Sequence, residues 1–257
     1  PMRFSTLIKA LENGQAGLKH SQQGSDPELR GAASLDSATA DQLSFLEKGN
    51  TLISSLADQP LLVVVRPDPS DLNGETGPGS LLDQLRALSH AGLRHVEIGW
   101  VPSPGWCPFV RRLQVAIPAL RLGAASVIST SALRDLAACE LPFGMSPCFD
   151  PALLALAREM GILLVPGVFS PSEFNQAMAM DCRLVKLFPA SSLGMDYVQR
   201  LRAPLGDLPL VIAAGGLAVE DLAPWLQAGH AAVALGRKVI GADGIAPSLL
   251  TWLGSAG

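Results

Sequence analysis

Over residues 59–257, eight short apolar runs alternate strictly with eight amphipathic helical patterns, and few architectures accept such a chain. The runs are 61–66, 95–99, 120–125, 142–146, 163–168, 184–188, 210–214 and 231–235. The helical patterns are 81–90, 107–117, 131–138, 151–160, 171–180, 195–202, 219–228 and 247–253. The runs recur every ~20–33 residues, the length of a minimal strand–helix unit. Strict alternation predicts a parallel sheet with right-handed crossovers. Eight units predict an α/β fold, a (β/α)8 TIM barrel near the small end of its size range. A doubly wound open sheet is the competing architecture, but the GxGxxG turn expected after its first strand is missing.

Composition agrees with buried strands. The chain is 48% hydrophobic and 16% charged, with a mean hydropathy of +0.31. Runs that are apolar on both faces belong to a parallel sheet covered on both sides. None approaches the ~18–20 residues of a membrane helix, so no membrane partner is expected. A net charge of −4 argues against a general nucleic-acid surface. The first residues lack a basic-then-apolar leader, which predicts a cytoplasmic protein. Residues 1–58 are more polar, with an amphipathic stretch at 4–11 and a turn-rich segment at 22–27. They read as a short N-terminal extension, a partial or residual module ahead of a barrel at 59–257.

Cysteine and histidine spacing offers no metal site. Cys107, Cys139, Cys148 and Cys182 form no CxxC pair, and His20, His90, His95 and His230 are scattered. The cysteines are expected to be reduced, half-buried thiols, and neither a metal nor a cofactor is called for. HExxH, GxSxG and Walker sequences are absent. The glycine-rich 74–79 segment follows a polar stretch and contains proline, so it reads as a connection.

In a barrel, chemistry sits at the carboxyl ends of the strands. Two charged residues interrupt apolar runs there. Glu97 stands in Val96-Glu97-Ile98, where a carboxylate is costly unless it is paired or working. Lys186 stands in Leu184-Val185-Lys186-Leu187-Phe188, in a segment 59–257 whose only other lysine is Lys238. By alternation Leu184, Lys186 and Phe188 share one face. A lysine among apolar neighbours loses solvation of its charge, and the neutral amine can attack a ketone to form a Schiff base. A structural ion pair between Lys186 and Glu97 is the plain alternative, and it is compatible with catalysis.

Two glycine turns follow late strands. Ala213-Ala214-Gly215-Gly216 ends the seventh run and Leu235-Gly236-Arg237-Lys238 the eighth. Backbone N–H groups at such turns can approach an anion, and barrels commonly hold phosphate there. Gly215, Gly216 and Gly236 are the candidate cradle, and Arg237 adds a charge-assisted donor. Two ordinary tight turns are the alternative.

At these residues the chain resembles the 2-keto-3-deoxy-6-phosphogluconate (KDPG) and 4-hydroxy-2-oxoglutarate aldolases. Val185-Lys186-Leu187-Phe188-Pro189-Ala190 resembles the Schiff-base motif. Leu93-Arg94-His95-Val96-Glu97-Ile98 resembles the strand bearing the acid/base glutamate. Leu122-Gly123-Ala124-Ala125-Ser126-Val127 resembles a GAGTV turn, and Ser146-Pro147 an SPG turn with Cys148 in place of glycine. Val165-Pro166-Gly167-Val168, Pro171-Ser172-Glu173 and Gly215-Gly216 resemble further pieces. The resemblance implies a metal-free class I aldolase that makes or cleaves a keto acid through pyruvate, usually as a homotrimer. It gives Lys186 and Glu97 the catalytic roles, with Ser126, Pro147 and Phe188 about the substrate. Two substrate-recognition positions also depart from the family. Val101 stands where the family has a carboxylate-binding arginine, and Arg237 where it has a phosphate-binding serine. Arg66, ending the first run, can supply the missing cation, and Trp100 or Trp106 can narrow the mouth.

The N-terminal residues resemble another family. Gly31-Ala32-Ala33-Ser34-Leu35 and Leu43-Ser44-Phe45-Leu46 look like the start of UDP-3-O-acylglucosamine N-acyltransferases. Lys48 and Thr51 replace the residues that contact uracil there, and the acyl-transferring β-helix is absent. The changed recognition residues and this foreign segment leave a second reading, an altered aldolase scaffold that binds a phosphorylated or keto-acid metabolite. A sugar-phosphate isomerase or epimerase, suited by the glycine turns alone, is a third.

Overall fold

A computed structural model describes residues 2–3, 28–29, 40–75, 77–241 and 244–255, with side chains from Lys48 onward. The chain divides into two compact units, Pro1–Leu43 and Ser44–Gly257. In the first, Met2–Arg3 pairs antiparallel with Glu28–Leu29. The stretches expected at 4–11 and 22–27 lie outside the described residues.

In the second unit the expected runs become parallel strands: β1 (Leu61–Val65), β2 (His95–Gly99), β3 (Arg121–Ala125), β4 (Phe143–Met145), β5, β6 (Leu184–Leu187), β7 (Leu210–Ala214) and β8 (Ala232–Leu235). β5 has two parts, Leu163–Val165 and Gly167–Val168, on either side of Pro166. Proline has no N–H to donate to a ladder, so the strand breaks there. Its first part pairs with β4 and its second with β6. The ring closes through this strand, giving the expected (β/α)8 barrel.

Helix α1 (Ala40–Asp58) precedes the first strand, helices α2 (Leu81–His90), α3 (Trp106–Ala116), α4 (Thr130–Ala138), α5 (Pro151–Glu159), α6 (Pro171–Ala179), α7 (Tyr197–Leu205) and α8 (Leu222–Gln227) return the chain between strands, and α9 (Pro247–Ser255) follows the last. Their starts are written in the sequence. Ser129 and Asp150 accept from backbone N–H groups of α4 and α5, and Ser170 and Glu173 form a capping box before α6. Such a cap contributes ~1 kcal/mol.

Alternation sorts the strand residues into two apolar layers. Val63, Val96, Val185, Val211 and Val233 face outward and pack with the helices. Leu62, Phe143, Met145, Leu163, Leu184 and Ile212 face inward and fill the barrel.

Leu52 and Leu56 of α1 join this inner layer. Lys48 Nζ donates to the Gly161 carbonyl at 2.8 Å, and the Ser55 hydroxyl lies 2.5 Å from His95 Nε2 at the start of β2. The last three turns of α1 therefore close the end of the barrel where the strands begin. The polarity change at 58/59 lies inside the second unit, so the end of the polar extension is part of the barrel.

Among the described residues, no helix is long and apolar enough to cross a membrane. All four cysteines are free. Cys107 and Cys182 are half-buried as expected, whereas Cys139 is fully buried and Cys148 is exposed in the turn after β4.

Candidate active site

Lys186 and Glu97 meet inside the barrel. β2 and β6 are four strands apart in either direction around the ring, so the two residues reach from opposite walls. Lys186 Nζ lies 3.4 Å from Glu97 Oε2, with side-chain exposures of 7% and 0%. No other ion pair among the described residues is buried. Burial pushes the Glu97 carboxyl above its ordinary range, while the Lys186 charge pulls it back. Glu97 Oε1 is also buried and meets no donor among the described residues, so one carboxylate oxygen holds the amine while the other stays available. The ring of Phe188, centred 5.8 Å from Lys186 Nζ, borders the amine.

Arg66 leaves the end of β1 and crosses Gly99, the last residue of β2. A Cβ on Gly99 would stand 3.0 Å from Arg66 Cγ, so the glycine makes room for the arginine stem. The guanidinium reaches the Ser126 hydroxyl at 3.3 Å. Ser126 holds a left-handed φ of 61° just past β3. Beyond β4, the buried Ser146 hydroxyl accepts from Cys148 N at 3.2 Å, fixing the turn that contains Pro147. The structure thus brings Arg66 and Ser126 together on the side of the mouth where Glu97 arises.

Val101 lies elsewhere. It is half-buried against the outer layer, as is Trp100, whose indole N–H donates to Asp135 Oδ2 at 2.8 Å. Trp106 corrects an expectation. It does not narrow the mouth: it is wholly buried in the first turn of α3, and its indole N–H donates to the Gly99 carbonyl at 2.9 Å.

The glycine turns lie after β7 and β8. Gly215 and Gly216 have φ of 96° and 80°. A Cβ on Gly216 would fall 2.1 Å from Ser191 Oγ, so the Ser191 hydroxyl lies directly against this turn. Lys238 Nζ donates to the Gly216 carbonyl at 2.7 Å. Arg237, the cation chosen from the sequence, is exposed and makes no hydrogen bond or ion pair among the described residues. Gly236, just after β8, is half-buried, and only the Val64 carbonyl would lie near a Cβ placed there. Ser191 and Lys238, which the sequence did not single out, are the side chains that touch the Gly216 turn. No group of three or more His, Cys, Asp or Glu among the described residues is placed to hold a metal.

Residues 78–248 match the family described as KDPG and KHG aldolase. The chain belongs to the KDPG and KHG aldolase family. It is 29% identical over 170 residues to the 2-dehydro-3-deoxy-6-phosphogalactonate aldolase of Escherichia coli (strain K12), a match covering 63% of this chain and 79% of the relative. The solved structure named Native KDPGal structure superposes with a TM-score of 0.61 at 25% identity, covering 77% of this chain and 92% of that one. The N-terminal segment matches another protein, the UDP-3-O-acylglucosamine N-acyltransferase of Parasynechococcus marenigrum (strain WH8102). The two are 58% identical over 71 residues, 28% of this chain but only 20% of the acyltransferase. The KDPG and KHG aldolase match covers the strands that carry Glu97, Lys186 and both glycine turns; Arg66 precedes it.

Proposed function

We propose that this chain is a class I aldolase that interconverts a 2-keto-3-deoxy-6-phospho sugar acid with pyruvate and a phosphorylated aldehyde, without a metal or cofactor. The observation that carries this reading is the Lys186–Glu97 contact at 3.4 Å, buried in an otherwise apolar layer. The Lys186 amine attacks the C2 ketone, and loss of water leaves an iminium. Glu97 takes the proton of the C4 hydroxyl, the C3–C4 bond breaks, and its electron pair flows into the iminium to give an enamine and the aldehyde. Glu97 returns the proton to C3, and water releases pyruvate from Lys186.

Arg66, Ser126 and the turn at Pro147 take the C1 carboxylate, replacing the arginine absent at Val101. Phe188 packs beside the reacting carbons. Gly215, Gly216 and Gly236 take the terminal phosphate, aided by Arg237 or Lys238. The relative named a phosphogalactonate aldolase supports a galactonate-type substrate. The proposal includes the homotrimer that the resemblance implies, which sedimentation of the purified chain tests.

Borohydride reduction in the presence of pyruvate tests the reaction itself. A pyruvyl adduct on the peptide carrying Lys186 is expected. An unmodified protein that still binds keto acids would instead establish the second reading, a binding scaffold.

A further inference from the structure

Cys107 and Cys139 stand on the outer wall of the barrel, away from the Lys186 site. Cys107 lies in the first turn of α3, and Cys139 caps the C-terminus of α4. Their sulfurs are 2.7 Å apart although 32 positions separate them in the chain. Both are free thiols, Cys107 half-exposed and Cys139 buried. Cys148 and Cys182 have no sulfur neighbour among the described residues; their thiols lie near the Ser146 hydroxyl and the Met180 carbonyl.

We propose that Cys107 and Cys139 are an oxidative modification site, a pair that closes to a reversible disulfide and clamps α3 to α4. Bond formation requires the sulfurs to approach by roughly 0.7 Å, from 2.7 Å to the ~2.05 Å of a disulfide. The half-exposed Cys107 meets the oxidant. Its thiolate attacks one sulfur of a low-molecular-weight disulfide such as oxidised glutathione and expels one thiolate. Cys139 then releases its proton to water, attacks the Cys107 sulfur and expels the second thiolate. Two cysteines lose two electrons and two protons, and the small disulfide becomes two thiols. Burial, reinforced by the neighbouring Cys107, pushes the Cys139 thiol far up, so Cys107 rather than Cys139 makes the first attack, and Cys139 follows because its sulfur already lies against that of Cys107.

The clamp bears on the loop that follows Glu97. The Cys107 thiol also donates to the Asp135 carbonyl at 3.5 Å, and the Asp135 carboxylate receives the Trp100 indole. Closing the bond pins α4 beneath Trp100, three positions beyond Glu97. It also closes a long loop in the unfolded chain, which raises Tm by roughly 5–15 °C.

The test uses the full chain, incubated with oxidised glutathione, alkylated, digested and mapped by mass spectrometry. One cross-linked pair of peptides holding Cys107 and Cys139 is expected, reversed by dithiothreitol. Oxidation should raise Tm in the wild type and in Cys148→Ser but not in Cys107→Ser or Cys139→Ser. Should Cys139→Ser fail to fold, the partly exposed Cys107→Ser carries the comparison. Full alkylation of both cysteines after oxidation, or separate glutathione adducts on them, would overturn the proposal.

Discussion

The guanidinium of Arg66 lies 3.3 Å from the Ser126 hydroxyl, its stem laid across Gly99. The two residues come from β1 and from the end of β3, and the strand between them carries Glu97. A cation therefore sits over the glutamate's strand although the position four residues after the glutamate is Val101.

If Arg66 holds the substrate carboxylate, Arg66→Ala should raise KM for pyruvate in the exchange reaction by about 10–150-fold, the usual worth of a hydrogen bond to a charged group. Val101→Arg should not restore it, because position 101 packs against the outer layer. Steady-state proton exchange in both variants and the double variant checks this. Rescue by Val101→Arg would show that residue 101 reaches the mouth.

If Glu97 is the proton carrier, Glu97→Gln keeps the shape and removes that function. Turnover should fall by about 10²–10⁴, the usual share of a general acid or base. The base must be ionised, and burial holds this carboxyl above its ordinary value. The acidic limb of wild-type kcat should therefore lie above the ~4.3 of a free glutamate, and it should vanish in the residual activity of the variant. A pH–rate profile of each measures both effects.

The Ser191–Gly216–Lys238 arrangement predicts how phosphate is read. For wild type, kcat/KM should favour the 6-phosphorylated substrate over its dephosphorylated counterpart. Lys238→Met should reduce that preference by about tenfold, and Ser191→Ala by a smaller factor. Arg237→Ala run in parallel decides which cation matters. A wild type without preference refutes the phosphate site itself. A preference that survives in Lys238→Met but not in Arg237→Ala returns the role to Arg237.

His95 predicts acid sensitivity at the closed end of the barrel. Burial, chiefly, pushes its pKa down from 6.5 to about 4. The unfolded chain then binds a proton below pH ~6.5 that the folded chain refuses, so stability is full above that pH and falls as pH drops toward 4. The loss amounts to about 3 kcal/mol at ~1.36 kcal/mol per unit. His230 is lowered in the same direction by burial, so the contribution is isolated by comparison with His95→Leu. Urea denaturation at pH 7 and pH 4 should show a smaller drop in the variant. Equal drops would remove His95 as the cause.

The strands were legible because apolar runs on both faces of a parallel sheet leave an uninterrupted pattern. Lys186 and Glu97 were legible for the converse reason, a charge where that pattern allows none. Their contact across the ring was not, since spacing along the chain says nothing of opposite walls. Leu52 and Leu56 carry the one-turn spacing of a buried helical face, but the polar residues around them masked it. Trp106 likewise belongs to a readable stripe with Phe109, Val110 and Leu113, which proline-rich surroundings disguised as a loop. Nothing local distinguishes Lys238 from Arg237. Adjacent residues after a strand point in different directions, and only the folded turn shows which reaches Gly216.

Pro166 has a consequence for how substrate choice can change. Its carbonyl accepts from Lys186 N at 2.8 Å, Val165 O from Ser146 N at 2.9 Å, and Gly167 N donates to Cys148 O at 3.2 Å. Three consecutive residues thus brace both the lysine and the turn proposed to hold the carboxylate. On the proposed roles, the anchor of the covalent bond and the grip on C1 share one short rigid strut and cannot be adjusted independently. Divergence toward a longer, shorter or uncharged aldehyde is steered to the opposite rim, where Ser191 N donates to the Gly215 carbonyl and Lys238 to the Gly216 carbonyl without touching the Lys186 strut.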